Sequence, residues 1–297
     1  MSKDYFDSLS GSSLLKSSTL KILSQLTLPN ASSNNENKST ATKLKNSNSL
    51  IKSFSYREEK NLKYRKTMED YGSTEPNLTS DYNIGLFGIY DGHGGTDVVK
   101  YIKERLPQII KENLINRIPI ETALTNSFTK VDEELKFYDS DYTGSTATIV
   151  LLQNNKIYCA NVGDSRAYLL SKEHVTQIST DHKCTDEDEA DRITQSGGSI
   201  QKGRVNGQLI LSRTLGDLNV KKFGIIATPT VRDYEINQNE TFCVLASDGV
   251  WDVIDGDSLL HMSKEFTLAD DFARAIVKSA IERGSRDNIS CIVLSFI

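Results

Sequence analysis

The stretch "NIGLFGIYDGHGG", residues 83–95, decides how the rest of this chain is read. Its first eight residues carry no charge and have the length of a buried strand. The run then stops at Asp91 and His93, with Gly92, Gly94 and Gly95 around them. A carboxylate at the mouth of an apolar strand adds nothing to packing, and buried without a partner it is costly. A carboxylate and an imidazole one residue apart suit metal binding or proton movement, and glycines let backbone and ligand come close.

The same setting recurs along the chain. Asp248 follows the apolar run "FCVLAS", Asp164 follows "YCANVG", and Asp287 stands in "GSRDNIS" just before an apolar end. Glu69 and Asp70 form a carboxylate pair in "RKTMEDYG". Taken singly, each Asp reads as a turn-former. Their repetition beside glycines at strand mouths points instead to convergence on hard cations, whose preferred ligands are carboxylate and carbonyl oxygens. Gly92 then offers a carbonyl that an ion can approach closely. The substrate of a carboxylate-lined metal site is expected to be an anion, with phosphate the first choice. Arg65, four residues before Glu69, can hold phosphate through two parallel hydrogen bonds, although the run "EEKNLKYRK" around it also reads as a solvated charged face.

Outward from this centre the pattern is mixed. "TDVVKYIKERLPQII" reads as an amphipathic helix with Pro107 near its end, and a second helix places Leu124, Phe128, Val131 and Leu135 on one face. "TATIVLLQNNKIYCANV" is a hairpin turning at "QNN", and "AYLLS", "TFCVLAS" and "ISCIVLSF" are further strands. "DEDEADRITQSGG" gives a short helix with Gly197 in the C-cap place, and "LADDFARAIVKSAIERG" another helix. Strands in adjacent hairpins with helices in pairs predict an α+β fold with antiparallel sheets, not a doubly wound parallel one.

Composition bounds the function. With 297 residues, 37% hydrophobic and 25% charged, the chain can bury a sizeable core. Residues 1–55 carry seven lysines and three acids, a net +4, which leaves −9 for the remainder of a chain totalling −5. An acidic body without a basic stripe argues against nucleic acid as partner and suits a site that collects cations. Cys159, Cys184, Cys243 and Cys291 form no CxxC pair, which fits a reducing compartment, so the cytoplasm or nucleus is expected. No apolar run approaches the ~20 residues of a membrane span. Residues 1–51, rich in Ser, Asn, Thr and Lys, read as a disordered or weakly ordered tail, with a leucine-spaced piece at 13–28. Residues 52–297 read as the folded domain.

Eight motifs, in order, carry a family resemblance. They are "RKTMED" (65–70), "YDGHGG" (90–95), "GSTATIVLL" (144–152), "ANVGDSRAYLL" (160–170), "DHK" (181–183), "GGSI" with "RVNGQLILSRTLGD" (204–217), "LASDGVWD" (245–252) and "SRDNIS" (285–290). From about residue 55 onward the chain resembles the metal-dependent PPM/PP2C-type serine/threonine protein phosphatases. The resemblance implies a four-layer αββα sandwich, two antiparallel sheets face to face with helices outside, and two Mn²⁺ or Mg²⁺ ions between the sheets. By motif position Asp91 would bridge both ions, Gly92 would lend its carbonyl, and Asp248 and Asp287 would bind the other ion. Glu69 and Asp70 would hold metal-bound waters, and Asp164 with Asp248 would take a weaker third ion. Arg65 falls on the phosphate-binding arginine and His93 on the general acid, with Asp217 and Asp252 close to the site.

The implied reaction is hydrolysis of phosphoserine and phosphothreonine in protein substrates by a metal-bridging hydroxide, without a phosphoenzyme. A monomer is expected. The short connection 218–227 departs from the family, many members of which carry a longer flap that contributes to substrate selection. The rival from another class is an inactive pseudophosphatase serving as a regulatory binding module. Such a module would be expected to lose metal acids, whereas Asp91, Asp248 and Asp287 are all present.

Overall fold

A computed structural model describes residues 40–43, 50–79 and 83–296. Most of the segment read as an N-terminal tail, with its leucine-spaced piece at 13–28, lies outside the described residues. In chain order the strands are β1 (Thr40–Lys43), β2 (Ile51–Glu59), β3 (Asp70–Thr79), β4 (Ile84–His93), β5 (Gly144–Ser145), β6 (Ala147–Gln153), β7 (Lys156–Val162), β8 (Arg166–Ser171), β9 (Val175–Gln177), β10 (Ile200–Gln201), β11 (Arg204–Val205), β12 (Leu215–Gly216), β13 (Thr230–Glu235), β14 (Glu240–Ala246) and β15 (Ile289–Phe296). The helices are α1 (Asp97–Ile115), α2 (Ile120–Glu134), α3 (Glu187–Gln195), α4 (Leu218–Lys221), α5 (Asp248–Trp251), α6 (Gly256–Ser263) and α7 (Ala269–Glu282).

Two antiparallel sheets stack. One runs β1-β2-β15-β14-β8-β9; the other runs β12-β5-β4-β6-β7-β13, with β3 on the free side of β4. The central strands β4, β14 and β15 alternate their side chains between two apolar layers. On β4, Leu86 and Tyr90 join the helix-facing cluster with Val99, Ile102 and Phe128. Phe87 and Ile89, of opposite parity, join the layer between the sheets with Phe54, Leu245 and Ile292. On the far side Val244, Ala246 and Val293 pack with Trp251, Phe272 and Ile276. Three apolar layers between four structural layers make this the expected αββα sandwich. Each fully buried Leu, Ile or Phe stabilises it by roughly 1.5–3 kcal/mol.

Leu124, Phe128, Val131 and Leu135 are all fully buried, as their spacing predicts. The "QNN" hairpin closes at Asn154, whose φ is +56°. Pro107 is one correction. The helix does not end near it but continues to Ile115, because Pro107 and its neighbours Leu106, Ile109 and Ile110 are buried. That apolar contact offsets the one intrahelical bond the proline cannot make. Among the described residues no helix is long and apolar enough to cross a membrane.

Candidate active site

Strand parity places the acids. Asp91 shares the parity of Phe87 and Ile89, so its carboxylate emerges between the sheets just past their apolar layer. Asp70 is its antiparallel partner on β3 and therefore shares its face. Across the gap, Ser247 continues the parity of Cys243 and Leu245 on β14, and Ser290 that of Ile292 and Leu294 on β15. Asp248 follows as the first residue of α5, and Asp287 precedes β15. The two sheets thus deliver carboxylates from both sides to one mouth.

Hydrogen bonds fix this arrangement. Ser247 Oγ donates to Asp70 Oδ2 at 2.6 Å, while the Ser290 amide donates to Ser247 Oγ at 3.2 Å. Asp91 is anchored through its backbone: its amide donates to Thr146 Oγ1 at 3.1 Å and its carbonyl accepts from the Thr146 amide at 2.9 Å. Asn288 draws the loop before β3 to the loop before β15. Its Nδ2 donates to the carbonyls of Lys60 (2.8 Å) and Thr67 (3.0 Å), and its Oδ1 accepts from the Glu69 amide at 2.8 Å. Arg65, exposed, pairs with Asp287 Oδ2. Glu69 accepts from the Thr67 hydroxyl, and Asp164 lies 3.6 Å from Lys183 Nζ. His93 Nε2 lies 2.8 Å from Asp217, a residue 4% exposed at φ +53°. Asp252 is exposed and acts on the site through its charge on Asp248.

The electrostatics are those of acids crowded without enough cation. Burial, and then the charges of Asp70, Asp248, Asp164 and Asp287, holds the Asp91 carboxyl well above the usual range. Burial raises Asp70 to about 6 against the opposing hydrogen bonds of Ser247 and Ser290. It raises Asp248 to about 7, with Asp164 and Asp287 adding to it. Asp164 is raised by burial against the pull of Lys183. For His93, burial disfavours the charged ring, but the hydrogen bond and charge of Asp217 and the charge of Glu69 outweigh it, and its pKa rises.

This donor set fits hard divalent cations: it offers oxygen only, with the charges of Asp70, Asp164, Asp248 and Asp287 all reaching Asp91, and a cation would favour the ionised forms that burial disfavours in Asp70, Asp91, Asp164 and Asp248. As the side chains stand, no three His, Cys, Asp or Glu groups among the described residues form a finished cage. Asp287 is turned to Arg65 instead. Gly92 has a packing reason beyond the carbonyl approach expected of it. A Cβ there would lie 2.8 Å from the Glu69 carbonyl oxygen and from Val99 of α1.

Sequence reasoning passed over Ser247, Asn288 and Thr146, which hold the acids in place. The one signal for them was adjacency: Ser247 precedes Asp248 and Asn288 follows Asp287.

Comparison with known proteins gives the family and the fold. The model of the Protein phosphatase 2C family matches residues 54–289. Protein phosphatase 2C homolog 1 of Saccharomyces cerevisiae is 33% identical over 256 residues, covering 80% of this chain and 91% of that protein. Probable protein phosphatase 2C 69 of Arabidopsis thaliana is 34% identical over 257 residues, covering 82% of this chain and 70% of that one. A solved C. elegans sex determining protein superposes with TM-score 0.76 at 27% identity, covering 83% of this chain and 65% of that chain. The serine-threonine phosphatase 2C of Toxoplasma gondii shares the fold, with TM-score 0.73 at 20% identity over 88% of this chain and all of that one. The chain belongs to the protein phosphatase 2C family. It is a protein serine/threonine phosphatase, of a family whose activity depends on Mg²⁺ or Mn²⁺.

Proposed function

We propose that residues 52–297 form the catalytic domain and hydrolyse phosphoserine and phosphothreonine in protein substrates by direct attack of water on phosphorus, with no phosphoenzyme. Of the segment 1–51 read as a tail, Thr40–Lys43 and Ile51 belong instead to the six-stranded sheet, as β1 and the start of β2. The observation that carries this reading is the meeting of Asp70, Asp91, Asp164, Asp248 and Asp287 at one mouth between the sheets, where burial and mutual repulsion leave them short of positive charge. Asp91, Gly92, Asp248 and Asp287 would hold two Mn²⁺ or Mg²⁺ ions, Asp164 with Asp248 a weaker third, and Glu69 and Asp70 would orient coordinated waters. When bound, such ions supply an activated water and offset charge on the phosphoryl oxygens.

The protein's own groups do the rest. Arg65 is exposed at the edge of the mouth, and its guanidinium would exchange Asp287 for phosphoryl oxygens, to which it can donate two parallel hydrogen bonds. His93 would protonate the departing Ser or Thr alkoxide, otherwise a poor leaving group. Asp217 holds Nε2, so Nδ1 is the ring nitrogen left to face the substrate. The substrates are phosphorylated proteins and the protein works as a monomer in the cytoplasm or nucleus.

The test is hydrolysis of a phosphothreonine peptide by the full chain with Mn²⁺, with EDTA, and in Asp248→Asn. Turnover that needs the metal and is lost in the variant supports the reading. A folded protein that turns over nothing with any divalent ion would instead be a binding module.

A further inference from the structure

The loop that carries Arg65 is a cationic, aromatic ridge on an otherwise acidic body. Leu62, Lys63, Tyr64, Arg65 and Lys66 are all exposed, as is Arg286 on the adjoining loop. Two cations lie over the Tyr64 ring: Lys63 Nζ is 4.9 Å and Arg286 Cζ 5.9 Å from its centroid. Among the described residues Lys63, Lys66 and Arg286 make no ion pair. The carboxylates nearest in sequence are engaged elsewhere: Glu58 by the Tyr56 hydroxyl, Glu59 by the Asn61 amide, Glu69 by Thr67, and Asp287 by Arg65.

The ridge is also held in shape. Asn61, at φ +58°, donates from Nδ2 to the carbonyls of Ser285 (2.8 Å) and Asp287 (3.0 Å), and its own carbonyl accepts from the amides of Tyr64 and Arg65. With Asn288 on the other side, the two loops are tied into one platform. The backbone that carries the cations is therefore ordered before a partner arrives, which leaves their side chains as the part still to be ordered.

Topology sets this platform against an opposite flank. In the seven-stranded sheet β4 lies between β3 and β5, so the loop entering β3 and the loop entering β5 stand on opposite sides of the mouth of β4. The β5 side carries Asp139 and Asp141, exposed, beside Tyr142, which is 73% exposed. It reaches the site where the Thr143 hydroxyl donates to the Gly94 carbonyl at 3.4 Å. The mouth of β4 thus has cations on one side and carboxylates on the other.

We propose that Lys63, Tyr64, Lys66 and Arg286 read acidic residues on one side of the phosphorylated Ser or Thr, so that this site selects phosphopeptides of asymmetric charge. The inference rests on the phosphatase reading of the same site. A peptide passing over the mouth lays its acidic side on the ridge and keeps acid away from Asp139 and Asp141. Leu62 adds apolar contact beside the cations.

Two phosphothreonine peptides of identical composition test it, one with three glutamates N-terminal and one with three C-terminal to the phosphoresidue. They are compared through kcat/KM with the full chain and Mn²⁺. One order is expected to exceed the other by about five-fold, the scale of a few exposed ion pairs, and salt near 0.5 M should shrink that ratio toward one. In Lys63→Glu/Arg286→Glu the preference should disappear or reverse. Equal rates for the two peptides, or a preference untouched by both salt and the charge reversals, overturn the inference. Hydrolysis of p-nitrophenyl phosphate by the unaltered chain separates the two readings. If it proceeds while the peptides are treated alike, the ridge reading fails alone. If nothing is hydrolysed, the phosphatase reading fails and takes this one with it.

Discussion

Ser247 on one sheet donates a 2.6 Å hydrogen bond to Asp70 on the other, joining the two halves of the sandwich at the mouth where the acids gather. Asp70 is 2% exposed, so the hydroxyl stands in for solvent that the carboxylate has lost. Ser247→Ala removes that donor and leaves a buried acceptor short of a partner. Destabilisation of about 1–3 kcal/mol is expected, measured by denaturant unfolding with the metal removed. A loss below ~0.3 kcal/mol would show that the bond does not clamp the sheets.

Stability without metal should depend on pH in an unusual direction. Asp70 titrates near 6 and Asp248 near 7 in the folded chain, against about 4 when unfolded. Both folded values are raised, so these groups leave stability intact below about pH 4 and withdraw it as pH climbs through 6 and 7. In EDTA the melting temperature should fall between pH 5 and pH 8. Added Mn²⁺ should restore it, since binding to the folded state alone stabilises by mass action. A flat profile in EDTA would count against the crowded acids.

Asp217 raises the pKa of His93, and the general-acid role proposed for His93 requires its protonated form. Asp217→Asn should therefore move the alkaline fall of kcat to lower pH, and reduce kcat at pH 8 by about ten-fold or more. An unchanged alkaline limb would separate Asp217 from the proton transfer.

Gly249 follows Asp248, and a Cβ on it would lie 1.9 Å from the Asn288 carbonyl oxygen. Nothing in that backbone can yield cheaply. Gly249→Ala should push the Asp248 turn away from the Asp287 loop, costing about 1–3 kcal/mol and weakening Mn²⁺ binding, both readable by calorimetry. The contrasting control is Gly197→Ala, which meets no atom within 4 Å and is strained only by its φ of +81°.

Asn288 ties the 60–69 loop by three hydrogen bonds. In Asn288→Ala, amide exchange at residues 60–69 should accelerate by ten-fold or more, and KM for phosphopeptides should rise because Arg65 is no longer held at the edge of the mouth.

Much of this could be read from the chain because strand parity is a local property. Phe87, Ile89 and Asp91 are spaced by two, so a buried strand commits Asp91 to the inter-sheet face before any partner is known. Asp248 and Asp287 carried the same mark, an apolar strand beside a polar turn. What stayed hidden depends on pairings far apart in sequence. The Ser247–Asp70 bond spans 177 positions and the contacts of Asn288 with the 60s loop span more than 200, and neutral Ser and Asn carry no pattern of their own. The continuation of α1 past Pro107 was equally unreadable, because it rests on the apolar layer beneath that turn rather than on helix chemistry.

The place of β15 has a consequence for biosynthesis. It lies between β2 and β14, with Ile292 against Tyr56 and Val293 against Val244, so the six-stranded sheet is joined through its final strand. On the ribosome the β2 edge waits unpaired until residue 296 has left the exit tunnel, and Asp287 cannot meet Asp91 before then. A chain cut before β15 lacks the strand that joins β2 to β14 and, with it, the anchor that brings Asp287 to the mouth.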